Sequence, residues 1–379
     1  MLKNIRIYYL LLNYLRQKRK SKIPNKEKKR LLKDNNFSQS LDIEKKYLKI
    51  IKHICVVSII IIVILIICII LLCIKLKKIS FQRDIYEYFR ANQDINLFLK
   101  NKTEFYYQER KEVFKKYDES NLKTFNDKIN YLVIHESAEY KANIVDKIKL
   151  SEYSKKILGK DICVPIIKIY DNPDEINLDE LPDKFVLKCN HGSGMNIFCK
   201  NKTEFDLEQS KIQLNKWLNI NYGLGGGQFQ YYFIKRKIFA SPYLDDMVDY
   251  KIFCFNGNPK YIVAKKILNE RIHQYVYNFY DLNWTLTDLQ HSSWGLKRDP
   301  NVIIEKPKHL DLLIEYAKKF SNEFVFVRVD FYETNDRIYL GELTFTPANN
   351  LNTFKNEEQR IFLGNLLDIT KIKPYLFNK

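Results

Sequence analysis

The feature that most constrains this chain is an uninterrupted apolar run near its N-terminus. From Ile54 to Ile74, 21 consecutive residues include only Ser58 as a polar side chain. At about 1.5 Å per residue, a helix of this length crosses the ~30 Å hydrocarbon core of a bilayer. Lysines flank the run on both sides. We therefore predict a transmembrane helix over residues 54–75, with a buried core helix as the alternative.

The positive charge of the chain is concentrated before residue 80. That segment holds 19 Lys and Arg against four acids, which accounts for +15 of the net charge of +18. The rest of the chain is nearly neutral, so a nucleic-acid-binding surface there lacks its main electrostatic support. We predict that residues 1–53 form a basic arm, partly disordered or amphipathic and attracted to anionic lipid. Residues 76–120, rich in charged runs, are predicted to form a helical linker.

Beyond Gly159 the sequence changes to short apolar runs separated by turn residues, which is typical of strands. We predict strands at Ile166–Tyr170, Lys184–Cys189, Met195–Lys200, Ile238–Leu244, Tyr250–Phe255, Lys260–Lys265, Phe324–Tyr332 and Ile338–Thr346. Helices are predicted at Asp206–Asn219 and Lys308–Phe320. Short turns such as Asn256-Gly257 cannot hold a crossover helix, so hairpins are the expected connections. The expected fold class is α+β, with mostly antiparallel sheets.

A glycine-containing loop between two of these strands is the first candidate site. Phe185-Val-Leu-Lys188 precedes Cys-Asn190-His191-Gly192-Ser193-Gly194, and a second strand follows. Bare backbone amides in such a loop can approach anionic oxygens, and a lysine at the strand end supplies positive charge. The pattern favours a phosphate-binding hairpin, although an ordinary hairpin with a flexible tip has the same sequence signature.

The last predicted hairpin carries the second candidate site. Arg328 and Asp330 share one face of a strand because side chains alternate, and Glu342 and Thr344 share a face of the next strand. With a turn centred near Asn335, residue 328 is expected to pair with residue 342. Two carboxylates and a hydroxyl on one face form an oxygen-ligand set suited to Mg²⁺ held together with substrate phosphates. The alternative is a surface hairpin with a cross-strand salt bridge.

Two further segments carry weaker signals. Asp249 and Lys251 lie two residues apart on a predicted strand and therefore share a face. The glycine-rich segment Gly223–Gly227 precedes no strand–helix unit, so a mobile loop or lid is the expected role.

In this order, these segments resemble the TupA-like subgroup of the ATP-grasp superfamily over roughly residues 120–355. The resemblance rests on Val145-Asp-Lys147, Leu181–Lys188 with Asn190–Gly194, Asp249–Gly257, Phe279–Trp284, Phe326–Asp330 and Gly341–Pro347. It implies an ATP-grasp fold, in which two α+β lobes with mostly antiparallel sheets grip ATP, over residues 121–379.

The resemblance also implies a role for each matching residue. The ATP-binding residues would be Lys147, Lys188, Asn190, His191, Gly192, Ser193 and Gly194, with Tyr243 and Leu244 at the interlobe hinge. The metal ligands would be Asp330 and Glu342, with Thr344 where the wider superfamily has Asn. The catalytic residues would be Arg328, Lys251 and Asp249. Ser241-Pro242 stands where many ATP-grasp enzymes carry a carboxylate, which is a departure from the wider pattern.

The activity implied is ligation of a carboxylate to an amine through an acylphosphate, with ATP and Mg²⁺ as cofactors. The subgroup's association is with surface polysaccharide, so a carboxylate-bearing glycan or lipid-linked saccharide and an amine donor are the expected partners, at a membrane and without nucleic acid. A single-pass membrane protein with a cytoplasmic catalytic domain suits ATP use. The basic stretch Lys18–Lys33 argues for the opposite orientation.

Two other functions share this sequence context. A glycosyltransferase is the main alternative, although metal-dependent transferases commonly use a D-x-D pair, which the chain lacks. A non-catalytic, membrane-anchored binding module is the second alternative, supported by the altered hinge.

Overall fold

The chain forms two compact units, Met1–Gln93 and Asp94–Lys379. The structure is a computed structural model that describes a helix in the first unit and, in the second, residues 118–223, 228–245, 247–269, 274–291, 298–334, 337–350 and 354–377. The predicted basic arm and linker lie almost wholly outside the described residues, as does most of the glycine-rich segment Gly223–Gly227.

The first unit contains the apolar helix Val56–Cys73, which is long and apolar enough to cross a membrane. None of its side chains is buried within the described residues. By its length and composition, this helix could be the predicted transmembrane helix.

The described part of the second unit contains two antiparallel sheets. The four-stranded sheet has the order β1 (Lys168–Tyr170), β4 (Ile238–Pro242), β2 (Phe185–Cys189), β3 (Asn196–Cys199). The five-stranded sheet has the order β7 (Gln274–Tyr280), β6 (Asn258–Asn269), β5 (Val248–Phe255), β8 (Phe326–Glu333), β9 (Ile338–Thr344). The predicted α+β class with antiparallel sheets is confirmed. Sequence patterning missed β7.

The hairpin predicted at Asn256-Gly257 is confirmed. Both residues have positive φ, at 47° and 77°, which is the backbone that a two-residue turn between twisted strands requires. A Cβ at Gly257 would lie 3.2 Å from the backbone of Asn322. The turn therefore needs glycine both for its backbone and for its packing.

Six α-helices accompany the sheets in the described part of this unit. They are α1 (Phe125–His135), α2 (Ala138–Val145), α3 (Leu150–Leu158), α4 (Leu207–Leu218), α5 (Leu310–Ser321) and α6 (Glu357–Asn365). Local sequence sets several of their ends. Thr124 and Asp127 form a reciprocal capping box at the start of α1, and Gly159 ends α3 in the left-handed conformation. The predicted helices α4 and α5 are confirmed to within two residues, whereas α6 was not predicted.

Each sheet has its own apolar core. Buried residues such as Phe185, Leu187 and Ile238 form the core of the four-stranded sheet together with Leu214 of α4. The larger core beside the five-stranded sheet includes Phe320 of α5. The fold therefore has two separate apolar cores, one beside each sheet.

The segment Pro347–Asn350, directly after β9, has an unusual backbone. Ala348, Asn349 and Asn350 adopt φ of 47°, 56° and 55°, although none is glycine. Such a conformation costs about 1–3 kcal/mol per residue unless its surroundings hold it. The Asn350 amide donates to the Asn126 carbonyl and to Asn130 Oδ1, and it accepts from Asn126 Nδ2 at 2.8 Å.

Replacing Asn350 with alanine should therefore destabilise the protein. We expect the unfolding free energy to fall by about 3 kcal/mol, at roughly 1 kcal/mol for each of three hydrogen bonds. Urea denaturation of the full chain in detergent, followed by tryptophan fluorescence, measures the change. Asn215→Ala on the exposed face of α4 is the control and should change stability by less than about 0.5 kcal/mol. Equal effects of the two variants would show that Asn350 does not hold this segment.

Candidate active site

The hairpin β8–β9 brings the second group of predicted site residues together. Asp330 lies opposite Glu342, and Arg328 lies opposite Thr344. The predicted pairing of residue 328 with 342 is wrong by two positions. One position arises at the turn, where Tyr332 pairs with Tyr339, and the other from a bulge at Gly341, between the pairs Phe331–Leu340 and Asp330–Glu342. A Cβ on Gly341 would lie 2.9 Å from the Tyr332 ring and 3.2 Å from the Asp330 carbonyl oxygen, so a larger residue in this bulge would force the ring to shift. The four polar side chains nevertheless share one face, because strand alternation survives on either side of the bulge.

Arg328 is the centre of a buried ionic network on this face. Its Nε and Nη2 donate to the two carboxylate oxygens of Asp330 at 2.6 and 2.5 Å. Nη2 also lies 3.2 Å from Glu342 Oε1 and 3.1 Å from Thr344 Oγ1. The Thr344 hydroxyl in turn donates to Glu342 at 3.2 Å. A planar guanidinium suits this two-pronged arrangement, and its contacts hold both acids in place.

Strand β5 adds a second cation to the network. Lys251 lies opposite Asp330 and donates to it at 3.0 Å, and it donates to Asp249 at 2.6 Å. Burial opposes the charged form of Lys251, but Asp330 and Asp249 outweigh it and raise the pKa of the lysine. The second oxygen of Asp249, Oδ1, is buried without a hydrogen-bond partner among the described residues. The structure thus places the three predicted catalytic residues in one cluster with Asp330.

Two lysines approach this cluster from the four-stranded sheet and from α2. Lys188 lies on β2, and Lys147 follows α2. Lys147 donates to the Gly192 carbonyl at 2.6 Å and lies 3.9 Å from Glu342 Oε2. Both lysines line a single cavity of about 170 Å³. Its other lining residues include Ser193, Gly194, Asn196, Lys251, Asp330, Tyr332 and Glu342.

The charged side chains in this cavity shift one another's pKa values. Burial and the neighbouring Lys147 lower the pKa of Lys188 to about 8, against a smaller opposing effect of Glu342. Burial disfavours the charged form of Glu342, but Lys147, Arg328 and Lys251 outweigh it and lower the pKa of that carboxyl to about 2. Glu342 is therefore ionised at neutral pH. A bound anion would stabilise the protonated form of Lys188, because it would offset both the burial of the ammonium group and its repulsion from Lys147.

The glycine loop between β2 and β3 divides into two parts. Ser193 and Gly194 line the cavity, and Gly194 has φ of 74°. By contrast, Asn190 donates to Asp146 at 2.9 Å and accepts from the Lys237 backbone amide. Its side chain therefore anchors the loop, and the role of Asn190 in ATP binding stays a prediction.

The His191 side chain also anchors the loop. Its Nε2 lies 3.1 Å from the Trp217 carbonyl at the end of α4. Burial lowers the pKa of His191 to about 4, with smaller contributions from Arg236 and Lys147, so the ring is neutral and donates this hydrogen bond. The imidazole therefore contacts the end of α4, and the role of His191 in ATP binding stays a prediction.

The predicted hinge residues lie where the chain passes from one sheet to the other. Ser241 and Pro242 end β4, and β5 of the five-stranded sheet begins at Val248. The Tyr243 ring lies 6.3 Å from the Phe198 ring and under Lys200 Nζ at 5.8 Å. Neither Tyr243 nor Leu244 lines the cavity that contains Lys188. The structure thus does not bring these two residues together with the phosphate-binding candidates.

Sequence reasoning assigned no role to Asp146, which holds the glycine loop through Asn190. The Asp146 carboxylate also accepts the Ile148 backbone amide at 3.0 Å, so it fixes the turn that presents Lys147. Burial raises the pKa of Asp146, and these hydrogen bonds oppose the rise. Its place in Val145-Asp-Lys147, next to a candidate phosphate ligand, was the signal available in the sequence.

The second unit has a low similarity to solved structures of ATP-grasp ligases. The chain is similar to the ATP-grasp ligase PsnB complexed with a phosphomimetic precursor variant, Mg and ADP, at 13% identity and a TM-score of 0.36 over 63% of this chain and 61% of that one. It is similar to D-alanine–D-alanine ligase from Bacillus anthracis complexed with ATP, at 14% identity and a TM-score of 0.32 over 56% and 59%.

The chain spans about three fifths of the length of the first solved structures that it matches, at 61% for each. A search of curated proteins finds no significant match. The decisive comparison is with protein families, because the model of the TupA-like ATP-grasp family matches residues 127–368. This match covers more than half of the chain and confirms the resemblance predicted from its motifs: the chain belongs to the TupA-like ATP-grasp family.

Proposed function

We propose that this chain is an ATP- and Mg²⁺-dependent ligase that joins a carboxylate to an amine. The observation that carries this proposal is that Lys147, Lys188, Asp330 and Glu342 line one cavity between the two sheets. Two adjacent, poorly solvated lysines favour a polyanion, and facing carboxylates favour a cation. A triphosphate with a bound divalent cation would supply the anion to the lysines and the cation to the carboxylates.

The donor set fits Mg²⁺. Asp330 and Glu342 face each other, and the low pKa of Glu342 keeps it ionised. Among the described residues no cluster of three or more His, Cys, Asp or Glu is arranged around a metal position. That is the pattern expected when one or two carboxylates and the substrate phosphates share the ligation. When bound, the ion would neutralise phosphate charge, and Asp330 and Glu342 would hold it.

The reaction needs little covalent chemistry from the protein. An oxygen of the substrate carboxylate attacks the γ-phosphorus, the bond from that phosphorus to the bridging oxygen breaks, and ADP leaves with the bond electrons. The amine nitrogen then attacks the acyl carbon of the acylphosphate, phosphate departs, and the nitrogen loses a proton. Arg328, Lys251 and the two cavity lysines would stabilise the charge that spreads over the phosphoryl oxygens.

The substrates follow from the same proposal. A carboxylate-bearing glycan or lipid-linked saccharide would be the acceptor, and a small amine the donor, in the biosynthesis of surface polysaccharide. The apolar helix Val56–Cys73 supports this choice, because it would hold the enzyme at a membrane beside lipid-linked substrates. Use of ATP favours a cytoplasmic catalytic domain.

Release of ADP tests the proposal directly. The full chain in detergent is incubated with ATP, Mg²⁺, amino-acid mixtures and sugar acids, and ADP is measured with a coupled assay. We expect ADP release above background only when the mixture contains both a carboxylate and an amine. Thermal shifts provide a second arm: Mg–ATP should raise Tm. A rise with UDP- or CMP-sugar but not with Mg–ATP would contradict the ligase and favour a glycosyltransferase.

Neutralising Glu342 should abolish most turnover while sparing the fold. Glu342 keeps 23% of its side chain exposed, whereas Asp330 keeps 1% and is bound on two sides by Arg328 and Lys251. Glu342→Gln is therefore the milder change, and we expect kcat to fall by about 100-fold or more. Glu315→Gln, on the exposed face of α5, is the matched control. Turnover within a few-fold of wild type at saturating Mg²⁺ would contradict the assignment of Glu342 as a metal ligand.

Binding of Mg–ATP should weaken as pH rises, because Lys188 loses its proton. Its pKa is about 8 in the free protein, and a bound triphosphate would favour the charged form. The Kd should therefore increase by about tenfold between pH 7 and pH 9. Titration calorimetry across this range measures the trend. Lys188→Arg stays charged and should remove the pH dependence, whereas the same slope in this variant would assign the effect to another group.

A further inference from the structure

A second cavity adjoins the network on the other side of Lys251 and Arg328. Its volume is about 250 Å³, and both of these cations line it. Lys251 also lines the cavity that holds Lys188 and Glu342, so it stands between the two spaces. The remaining lining residues are Phe125, Phe253, Val263, Tyr277, His291, Pro347, Ala348 and Phe354.

The walls of this second cavity are built from rings that pack on one another. The Phe354 ring lies 5.7 Å from that of Phe125 and 5.1 Å from that of His291, and Phe253 lies 6.4 Å from His291. Edge-to-face, tilted and stacked contacts such as these fix the orientation of the rings. The register places Phe253 opposite Arg328 and Val263 opposite Lys251. The aromatic wall and the two cations therefore share one sheet face.

His291 supplies a further polar group within the aromatic wall. Its Nδ1 is buried and has no hydrogen-bond partner among the described residues. Burial, with Arg328 nearby, lowers the pKa of His291 to about 4, so the ring is neutral at physiological pH. A buried polar atom without a partner is costly, and a ligand group able to hydrogen-bond with it would remove that cost.

The rim of the cavity contains the strained segment described above. Pro347 and Ala348 line the cavity, and Ala348 begins the run of left-handed residues that Asn350 anchors to α1. Strain of this kind concentrates at ligand sites, where the surroundings hold the backbone in place. The strained backbone is thus part of the rim of this cavity.

We propose that this second cavity binds the carboxylate substrate, and that it selects a monocarboxylate attached to a single ring. The proposal rests on the proposed ligase function and specifies its substrate. The carboxylate would face Lys251 and Arg328, next to the phosphate-binding cavity, and the ring would lie against Phe253 and Val263. A sugar acid and an aromatic acid share this chemistry, and the experiment below separates them.

The size of the cavity supports a single ring. Pockets for drug-sized ligands span roughly 300–1,000 Å³, so about 250 Å³ suits one ring and its carboxylate. Ring faces stack on aromatic side chains, and sugar rings also present apolar C–H groups to them. A short aliphatic acid would leave most of the aromatic wall without contacts, which forfeits the dispersion energy of a filled pocket.

Titration calorimetry of the full chain in detergent, saturated with Mg²⁺ and a non-hydrolysable ATP analogue, tests the proposal. The probes are benzoate, D-glucuronate, acetate and benzamide. We expect at least one ring carboxylate to bind tenfold or more tightly than acetate, and benzamide to bind tenfold or more weakly than benzoate if benzoate is the ring acid that binds. Tighter binding of glucuronate than of benzoate would assign the pocket to sugar acids, and the reverse order to aromatic acids.

Two variants of Val263 connect this binding to the cavity. Val263→Phe fills the space and should weaken the preferred ring carboxylate tenfold or more, whereas Val133→Phe on α1, outside the lining residues, should not. Val263→Ala enlarges the space and should raise the affinity for 2-naphthoate relative to benzoate about tenfold. The Ala variant also keeps the test decisive if the Phe variant does not fold.

Different results would contradict the ligase function and the assignment of the second cavity to the carboxylate substrate. Absence of analogue binding in the wild-type chain would contradict the ligase function itself. Normal analogue binding together with acetate binding as tight as that of both ring acids would overturn only the substrate proposal. Ring-acid affinity unchanged in both Val263 variants would overturn it as well.

Discussion

The two-pronged contact between Arg328 and Asp330 is the interaction on which the candidate site depends. Asp330 is almost fully buried, and a buried carboxylate is tolerable only with charged partners and satisfied hydrogen bonds. Arg328 and Lys251 supply them, so β5, β8 and β9 must pair in the register that brings these chains together. The apolar reverse face, with Val327, Val329 and Phe331, fixes which side the charges occupy.

Sequence patterning predicted most strands because alternation of apolar and polar residues is a local property. This patterning failed where contacts between residues distant in sequence determine the strands and their register. In β7, Asn278 is fully buried and breaks the apolar pattern, and its amide is satisfied by the carbonyls of Asp299 and Val302, which alternation cannot anticipate. The predicted register of β8–β9 was wrong for a similar reason, since apolar–polar alternation marks neither the pairing at the turn nor the bulge at Gly341.

The sequence predicted which residues belong to the candidate site, but it did not predict which side chains they would contact. Lys188, Asp330 and Glu342 were identified from loop and strand patterns and Lys147 from motif resemblance, and the fold brings the four into one cavity. Asn190 and His191 belong to the same motif, yet their partners are Asp146 and Trp217, which are distant in sequence. The aromatic cavity beyond Lys251 had no local signature, because its walls come from α1, β5, β6, β7 and the segment after β9.

The central claim is that Asp330 and Glu342 share a divalent ion with a triphosphate gripped by Lys147 and Lys188. Pulsed electron paramagnetic resonance of the full chain with Mn²⁺ and ATP, using protein labelled with ¹³C at its Asp and Glu carboxylates, measures this most directly. The account predicts ³¹P couplings from the nucleotide together with ¹³C couplings from the protein, the latter reduced in Glu342→Gln. Phosphorus couplings without any carboxylate coupling would contradict it, because the ion would then be bound by nucleotide and water alone.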